Sequence, residues 1–455
     1  MKKIKCCLIG GGSYSWTDSL YMGFANNPFF NRDNMELCLY DINPVALETV
    51  FSYINMVNEA NPDNAITVTK TLSEDEAMEG ADYVIIAISN GGMEGEMEDH
   101  YIARRHGFYN VKGSESGIAG ASRTIRHVPE FVRIATKMKK LCPNAMILNV
   151  TNPLTSLVRC VEKYAGIPSI GFCHGIINHL EIVEPYFGCH NPYGSILTDI
   201  SMSVSGVDHC SFVTDLKFKG EDALQIMRDK GMIEAAWRGD SITMQDYFAG
   251  KENQRIRFIL WDMLGTLPGL SDEHCAEFYY QTTGTEANRD TYGMHYDRLA
   301  DRPASVTRMK KAIEDKLAAK DTQLRYSDEQ IHLAVEALNG GRQLYTVMNY
   351  KNIGQCREFP KDMVVETFCT IDATGVHPSI ASPLPNPALT VALATGYREE
   401  MFMEAAMEWN EDKLVAALVN DPLVMDFSRV RDVAHDIMEY NKKWLPKDFE
   451  PLKRS

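Results

Sequence analysis

The chain has 455 residues, with 46 Lys and Arg against 62 Asp and Glu, for a formal charge of −16. That acidity argues against a general binder of nucleic acid or anionic membranes, which needs a basic footprint. Apolar residues make up 45 % and charged residues 24 %, a globular balance that excludes wholesale disorder; the length predicts two or three domains, or one large two-lobed unit.

Lys5 to Ile9 reads as a buried strand, followed at once by Gly10-Gly11-Gly12, and residues 15–27 read as a helix. Glu36 to Tyr40 is a second strand ending at Asp41. Pro44 to Ala60 has helical spacing, with Val45, Val50, Ile54 and Val57 on or near one face. Tyr83 to Ser89 and Ala145 to Val150 are further strands, and Ile167 to Phe172 is a shorter one. Near-continuous apolar strands separated by helices predict a parallel sheet covered on both faces. The texture then changes. Ile196 to Val207 and Ser211 to Lys219 read as antiparallel strands, 253–265 and 327–340 as helices, and Tyr345 to Asn349 and Val364 to Cys369 as extended. The tail is mostly helical, for example Glu399 to Leu418. The expected fold is α/β: a Rossmann-type doubly wound domain over 1–195 and an interlocked α+β domain over 196–455.

The 11 cysteines are odd in number and form no C-x-x-C pair. They predict a reducing compartment rather than a disulfide framework. Four apolar residues between Lys5 and Gly10 are too few for a signal-peptide core, and no apolar run approaches the ~18 residues of a membrane span. A cytoplasmic location is the expectation.

The strand–Gly10-Gly11-Gly12-Ser13–helix arrangement is the first chemical signal. Glycines at such a turn let backbone approach a diphosphate that sits on the helix N-terminus; the bland alternative is a tight turn without a ligand. The third glycine of G-x-G-x-x-G is Ser15 here. Asp41 is placed to hydrogen-bond an adenosine ribose, and its charge favours NAD over NADP. Asn152, extended before Pro153, follows a strand end, where this fold gathers ligands; a simple Asn-Pro turn is the alternative. Gly171-Phe172-Cys173-His174-Gly175 also follows an apolar run. Its Cys–His pair is open to three readings: packing, an activated thiol, or metal ligation together with Asp208-His209. Glu94, Glu96, Glu98 and Asp99 read as a solvated acidic loop. Trp237 and Trp261 are candidates for sugar stacking, with packing the simpler reading for Trp261.

Together these residues resemble glycoside hydrolase family 4, the NAD-dependent glycosidases. The resemblance runs from residue 4 to about 395. It rests on the N-terminal IGGGS, Thr151-Asn152-Pro153, GFCHG at 171–175, Asp208-His209, His274-x-x-Glu277-Phe278, Asn349-x-x-Asn352-x-Gly354, Phe359-Pro360 and Val364-Val365-Glu366. It implies a second domain like that of lactate and malate dehydrogenases. It also implies a reaction in which NAD takes a hydride from sugar C3, a divalent metal such as Mn²⁺ holds the C2 and C3 oxygens, a base removes the C2 proton and the aglycone leaves from C1. Carried over by position, Cys173 and His209 match the metal ligands, and Asn152 an asparagine touching sugar and cofactor. Gly10, Gly12, Ser13, Asp41 and Asn90 fall to the cofactor, and His174 and Asn352 to the substrate. Cys-His resembles the members acting on unphosphorylated hexosides or hexuronides.

The chain departs from the family pattern at its acid and base. The usual acidic position falls on Ser114, with Glu115 beside it: either Glu115 has taken over protonation of the leaving group or the site is altered. The Asp base of unphosphorylated-sugar members falls on Ile259, with Asp262 one helical turn on. The Tyr base of phospho-β-sugar members falls near His274, an imidazole suited to proton transfer. Asp208 is placed behind the metal ligands. The implied partners are a small carbohydrate and a second copy of the chain, as homodimer or homotetramer. The competing expectation is an NAD-dependent sugar or 2-hydroxy acid dehydrogenase on the same scaffold.

Overall fold

The computed structural model describes residues 3–173, 175–178, 200–240, 254–295 and 297–453. Its main sheet has six parallel strands: β1 (Ile4–Ile9), β2 (Met35–Tyr40), β3 (Thr67–Thr71), β4 (Tyr83–Ile86), β5 (Met146–Asn149) and β6 (Ser169–Gly171). Their spatial order is β3-β2-β1-β4-β5-β6, the doubly wound order with its switch point beside β1. Alternate residues feed two cores. Cys7, Ile9, Val84 and Ile86 enter one; Cys6, Leu8, Tyr83 and Ile85 enter the other.

The C-terminal half extends this sheet rather than standing apart. Strands β11 (Leu344–Lys351), β12 (Val364–Asp372) and β13 (Gly375–Pro378) join antiparallel beyond β6, beginning with the pair Asn349 and Gly171. Phe402, Met403, Val433 and Ile437 of two late helices pack with Ile125, Val128 and Phe131 of the helix Gly117–Leu141. A cut at residue 195 therefore divides the chain but not the core. A second, antiparallel sheet holds β7 (Ile200–Val207), β8 (Cys210–Phe218), β9 (Glu221–Asp222) and β10 (Leu267–Pro268). Residues 196–199, at the start of one expected strand, lie outside the described residues.

Local chemistry explains the element ends. Asn43 accepts from the backbone N–H groups of Val45 and Ala46, and Pro44 opens the helix that runs to Ala60. Two expectations change. The acidic run 94–99 lies in a helix, Gly92–Arg105, with Glu96 and Asp99 buried. Asp99 pairs with Arg126, and Glu96 with Arg298 and Arg302; long-range ion pairs, invisible in local charge, turn these carboxylates inward. The stretch 399–418 is two helices, Asn386–Glu408 and Glu411–Val419. Trp409 takes a left-handed φ of 46° between them, and Asn410 caps the second helix through the Lys413 N–H.

Candidate active site

The parallel strands deliver several segments to one edge of the sheet. After β5, Asn149 exchanges hydrogen bonds with Thr151, accepting from its N–H and donating to its carbonyl, both at 2.9 Å. The Thr151 hydroxyl accepts from Ile88 N–H at 3.0 Å, tying this edge to β4. Half-buried Asn152 follows. After β6 comes Cys173, the one partly exposed thiol among the ten described cysteines, all of them free. The sharp β7–β8 turn supplies Asp208 and His209. His209 has φ 62°, a conformation that costs a non-glycine side chain of order 1–3 kcal/mol and collects at functional sites. Gly206 permits this turn: a Cβ there would come 2.4 Å from the Cys210 carbonyl oxygen.

Cys173, Asp208 and His209 offer ligand atoms that all lie within 4.8 Å of one another, as do His209, His274 and Glu277. The His209 and His274 rings are 4.4 Å apart, edge to face, and Asp208 Oδ2 is 3.4 Å from His209 Nε2. Asn349 on β11 donates to Asp208 Oδ1 at 2.7 Å. Glu366 on β12 accepts from the Ser211 hydroxyl at 2.6 Å. Glu115 accepts from Leu154 N–H at 3.2 Å, and Glu277 from Gly113 N–H.

These buried carboxylates set the electrostatics. Burial, reinforced by the negative charge of Asp208 and Glu399, holds the Glu115 carboxyl well above its usual range. Burial and Asp208 do the same to Glu366. Glu277 is pushed up by burial to about 7, against the pull of the Gly113 N–H and Lys112. Burial, with the fields of Asp208 and Glu366, raises the Cys173 thiol. Glu115 Oε2 and Asp208 Oδ2 are buried without a hydrogen-bond donor among the described residues. A divalent cation fits this arrangement. It would satisfy the orphaned Asp208 oxygen and favour the thiolate, and the sulfur–imidazole–carboxylate set leaves positions for substrate oxygens.

The glycine turn is equally specific. Gly10 has φ 99°, and a Cβ on it would come 2.2 Å from the Ala87 carbonyl oxygen, so only glycine fits. Asp41 accepts from Gly12 N–H at 2.9 Å and Asn43 N–H at 2.8 Å, one on each oxygen; each oxygen keeps a lone pair for a ribose hydroxyl. Ser13 Oγ accepts from Trp16 N–H at 3.2 Å. Ser15 makes no side-chain cap at the start of the helix Trp16–Asn26, an end suited to a diphosphate.

The other expected residues fall unevenly. Asn90 donates its amide to the carbonyls of Arg126 and Trp444, so it anchors its loop. Asn352 is buried, donates to the carbonyls of Cys356, Phe359 and Pro360 and accepts from Gly354 and Cys356. Its amide is saturated by its own loop, which corrects its placement as a sugar contact. Asp262 is exposed and accepts from Trp237 Nε1 at 3.0 Å, outside the imidazole–carboxylate cluster that holds His274. Ile259 is buried in an apolar core with Trp261, so that tryptophan packs. His174 lies outside the described residues. The motif reading gave no role to Glu399, yet it is 1 % exposed and its charge interacts with Asp208 and Glu115. The spacing Ala388, Ala392, Thr395, Glu399, Phe402, Ala406 places it on the buried face of its helix.

The fold and site define an α/β enzyme built on a doubly wound sheet, with its polar centre at the carboxyl edge. The model of the Family 4 glycosyl hydrolases matches residues 5–187, and that of their C-terminal domain residues 204–424. The chain belongs to this family and is a glycoside hydrolase. An alpha-galacturonidase of Thermoanaerobacterium saccharolyticum is 27 % identical, over 97 % of this chain and 96 % of its own. Among solved structures, the lplD protein of Bacillus subtilis superposes with a TM-score of 0.86 at 24 % identity, over 96 % of this chain and all of that one. A 6-phospho-alpha-glucosidase from gut microorganisms, in complex with NAD and Mn²⁺, gives 0.82 at 17 % identity, over 98 % and 99 %. At the level of fold alone, a malate dehydrogenase of Naegleria fowleri gives 0.51 at 14 % identity, over 89 % and 99 %.

Proposed function

We propose that this chain cleaves an unphosphorylated hexoside or hexuronide with NAD and a divalent cation such as Mn²⁺, by oxidation at C3, elimination across C1 and C2, addition of water and re-reduction. The observation that carries the reading is the convergence of Cys173, Asp208 and His209 within 4.8 Å at the edge that also bears the Gly10 turn. When bound, NAD supplies a reversible hydride acceptor and the cation a Lewis acid that makes the proton beside a ketone labile.

The chain's own residues do the rest. Cys173 and His209 hold the cation, with Asp208 beside them. Gly10, Gly12, Ser13 and Asp41 hold the dinucleotide. Asn152, whose side-chain amide has no partner among the described residues, orients the sugar. His274, in ring contact with His209, removes the C2 proton; Asp262, exposed and engaged by Trp237, is the lesser candidate. Glu115, protonated by virtue of its burial, delivers a proton to the departing glycosidic oxygen. Family membership favours this reading over a dehydrogenase, which would accumulate NADH stoichiometrically.

Nitrophenyl α- and β-glycosides and uronides, incubated with NAD, Mn²⁺ and a thiol reductant in D₂O, test it. Deuterium at C2 of the released sugar is the expected result. Hydrolysis without label would overturn the mechanism.

A further inference from the structure

One buried cation stands outside the chemistry above. Arg257 lies in the first turn of the helix Arg255–Leu264 and is 2 % exposed. Burial holds its pKa down to about 10, so it is a cation at neutral pH. Its guanidinium has three neutral acceptors. Nε donates to the Pro268 carbonyl at 2.7 Å, one terminal nitrogen to the Gly269 carbonyl at 3.2 Å and the other to Gln254 Oε1 at 3.2 Å. Its own backbone N–H donates to Asp272 Oδ1 at 2.9 Å. One residue thus holds both ends of the segment 268–272.

That segment leads to His274. Leu267 and Pro268 form β10 and pair with Val213 and Phe212 of β8. Gly269 continues the contact, donating its N–H to the Ser211 carbonyl at 2.8 Å. A Cβ on Gly175 would meet Leu270 Cδ2 at 2.8 Å and Cys173 Sγ at 3.3 Å, so Leu270 and the thiol face the same glycine. Asp272 then opens the short helix Asp272–Cys275. The His274 N–H donates to the Ser271 carbonyl at 3.1 Å, and its ring stands 4.4 Å from that of His209. The segment therefore follows β8 back toward the Asp208-His209 turn, and where it ends His274 meets His209.

We infer that Arg257 is a positioning residue for His274: by fixing two successive carbonyls of the segment 268–272 it sets where the imidazole stands against His209. This rests on the assignment of His274 as the base and deepens it. An apolar side chain would fill the same space without the cost of burying a charge. What the guanidinium adds is direction, because a planar fork fixes its acceptors in one orientation. Direction matters because the imidazole must come within hydrogen-bond reach of the C2 proton, and a misplacement of about 1 Å costs about 100-fold in rate. Cys173 follows β6 and His209 sits between β7 and β8, outside this segment, so the effect falls on proton transfer rather than on the cation. The backbone tie to Asp272 survives any substitution at 257 that keeps an N–H, so a variant removes the fork alone.

The test uses the NAD- and Mn²⁺-loaded enzyme with Arg257→Met, Arg257→Lys and His274→Ala, singly and combined, on the nitrophenyl glycoside that the wild type turns over. Arg257→Met is expected to lower kcat by at least about tenfold, while KM, and Mn²⁺ affinity read by electron paramagnetic resonance titration, change less than about twofold. The isotope effect on kcat with C2-deuterated substrate is expected to rise, because deprotonation slows relative to the other steps. In the His274→Ala background the same substitution is expected to lose its effect, since no imidazole is left to position. Arg257→Lys keeps the charge and a donor; it is expected to show a smaller loss of the same kind, and it carries the comparison if Arg257→Met does not fold. Equal losses with and without His274 overturn the inference, as do an unchanged kcat or a loss confined to KM or Mn²⁺ affinity. In these cases deuterium at C2 still supports the glycosidase reading. Wild-type kcat in His274→Ala removes the base assignment and the inference with it, and hydrolysis without C2 label removes the mechanism as a whole.

Discussion

Asn349 donates its side-chain N–H to Asp208 Oδ1 across 2.7 Å, and both residues are fully buried. One neutral amide on β11 thus aims the carboxylate that stands 3.4 Å from His209. The amide's position is set by the sheet, where Asn349 pairs with Gly171 on one side and Glu366 on the other. Removing it frees Asp208 to rotate and leaves another buried oxygen without a donor. Asn349→Ala is expected to weaken Mn²⁺ binding by about 10–100-fold, measured by electron paramagnetic resonance titration. Wild-type affinity in this variant would show that Asp208 needs no such support.

Glu115 carries the second prediction. Its folded pKa is raised, chiefly by burial, so the proton is retained at pH values where an exposed carboxyl has lost it. Glu115→Gln is expected to cut turnover of alkyl glycosides by about 100-fold. Nitrophenyl glycosides, whose leaving groups need little protonation, should lose far less. In the wild type, alkyl-glycoside activity should fall as pH rises through the raised pKa. Equal losses for both leaving groups would assign the proton donor elsewhere.

The Asp99–Arg126 pair predicts a stability effect. Both side chains are buried, with two contacts of 2.7 Å. Arg126 also donates to the Asn90 carbonyl at 2.6 Å and to Asn441 Oδ1 at 2.9 Å, so it links the loop after β4 to the helix Val430–Asn441. Asp99→Ala leaves a buried cation uncompensated and is expected to cost about 3–5 kcal/mol in urea unfolding. A change below about 1 kcal/mol would mean that water or another acceptor replaces the carboxylate.

Asp272 predicts a pH dependence. Burial pushes its pKa up from 3.8 to about 7, although backbone N–H groups of Arg257, Ile256 and Arg255 pull the other way. The folded chain therefore binds this proton more tightly than the unfolded chain does. The associated stability is complete below about pH 4 and is lost as pH rises toward about 7. Glu329, pushed by burial to about 8, acts in the same direction. Asp272→Asn is expected to flatten the fall in urea midpoint between about pH 4.5 and 7. An unchanged slope would show that other groups carry it.

Much of the fold was legible because its signals are local. The β1 run and Gly10 lie next to each other in the chain, and Pro44 after Asn43 announces its helix. Thr67–Thr71 was missed because an edge strand of polar, half-buried residues carries no apolar run. Glu96 and Asp99 were misread because their partners, Arg298, Arg302 and Arg126, lie up to 206 residues away. Cys173 and His209 could be singled out by motif. No motif shows that Asn352 is saturated by its own loop, or that Glu399 turns inward.

By itself, then, the sequence determined the strand and helix periods, the glycine turn and the residue types of the metal group, since each depends on neighbours in the chain. Tertiary structure alone decided which carboxylates are buried together, that His274 rather than Asp262 stands against His209, and that Glu96 meets Arg298 and Arg302. These are outcomes of long-range packing and desolvation. Whether a charged side chain faces water or another charge depends on segments brought together only when the chain folds.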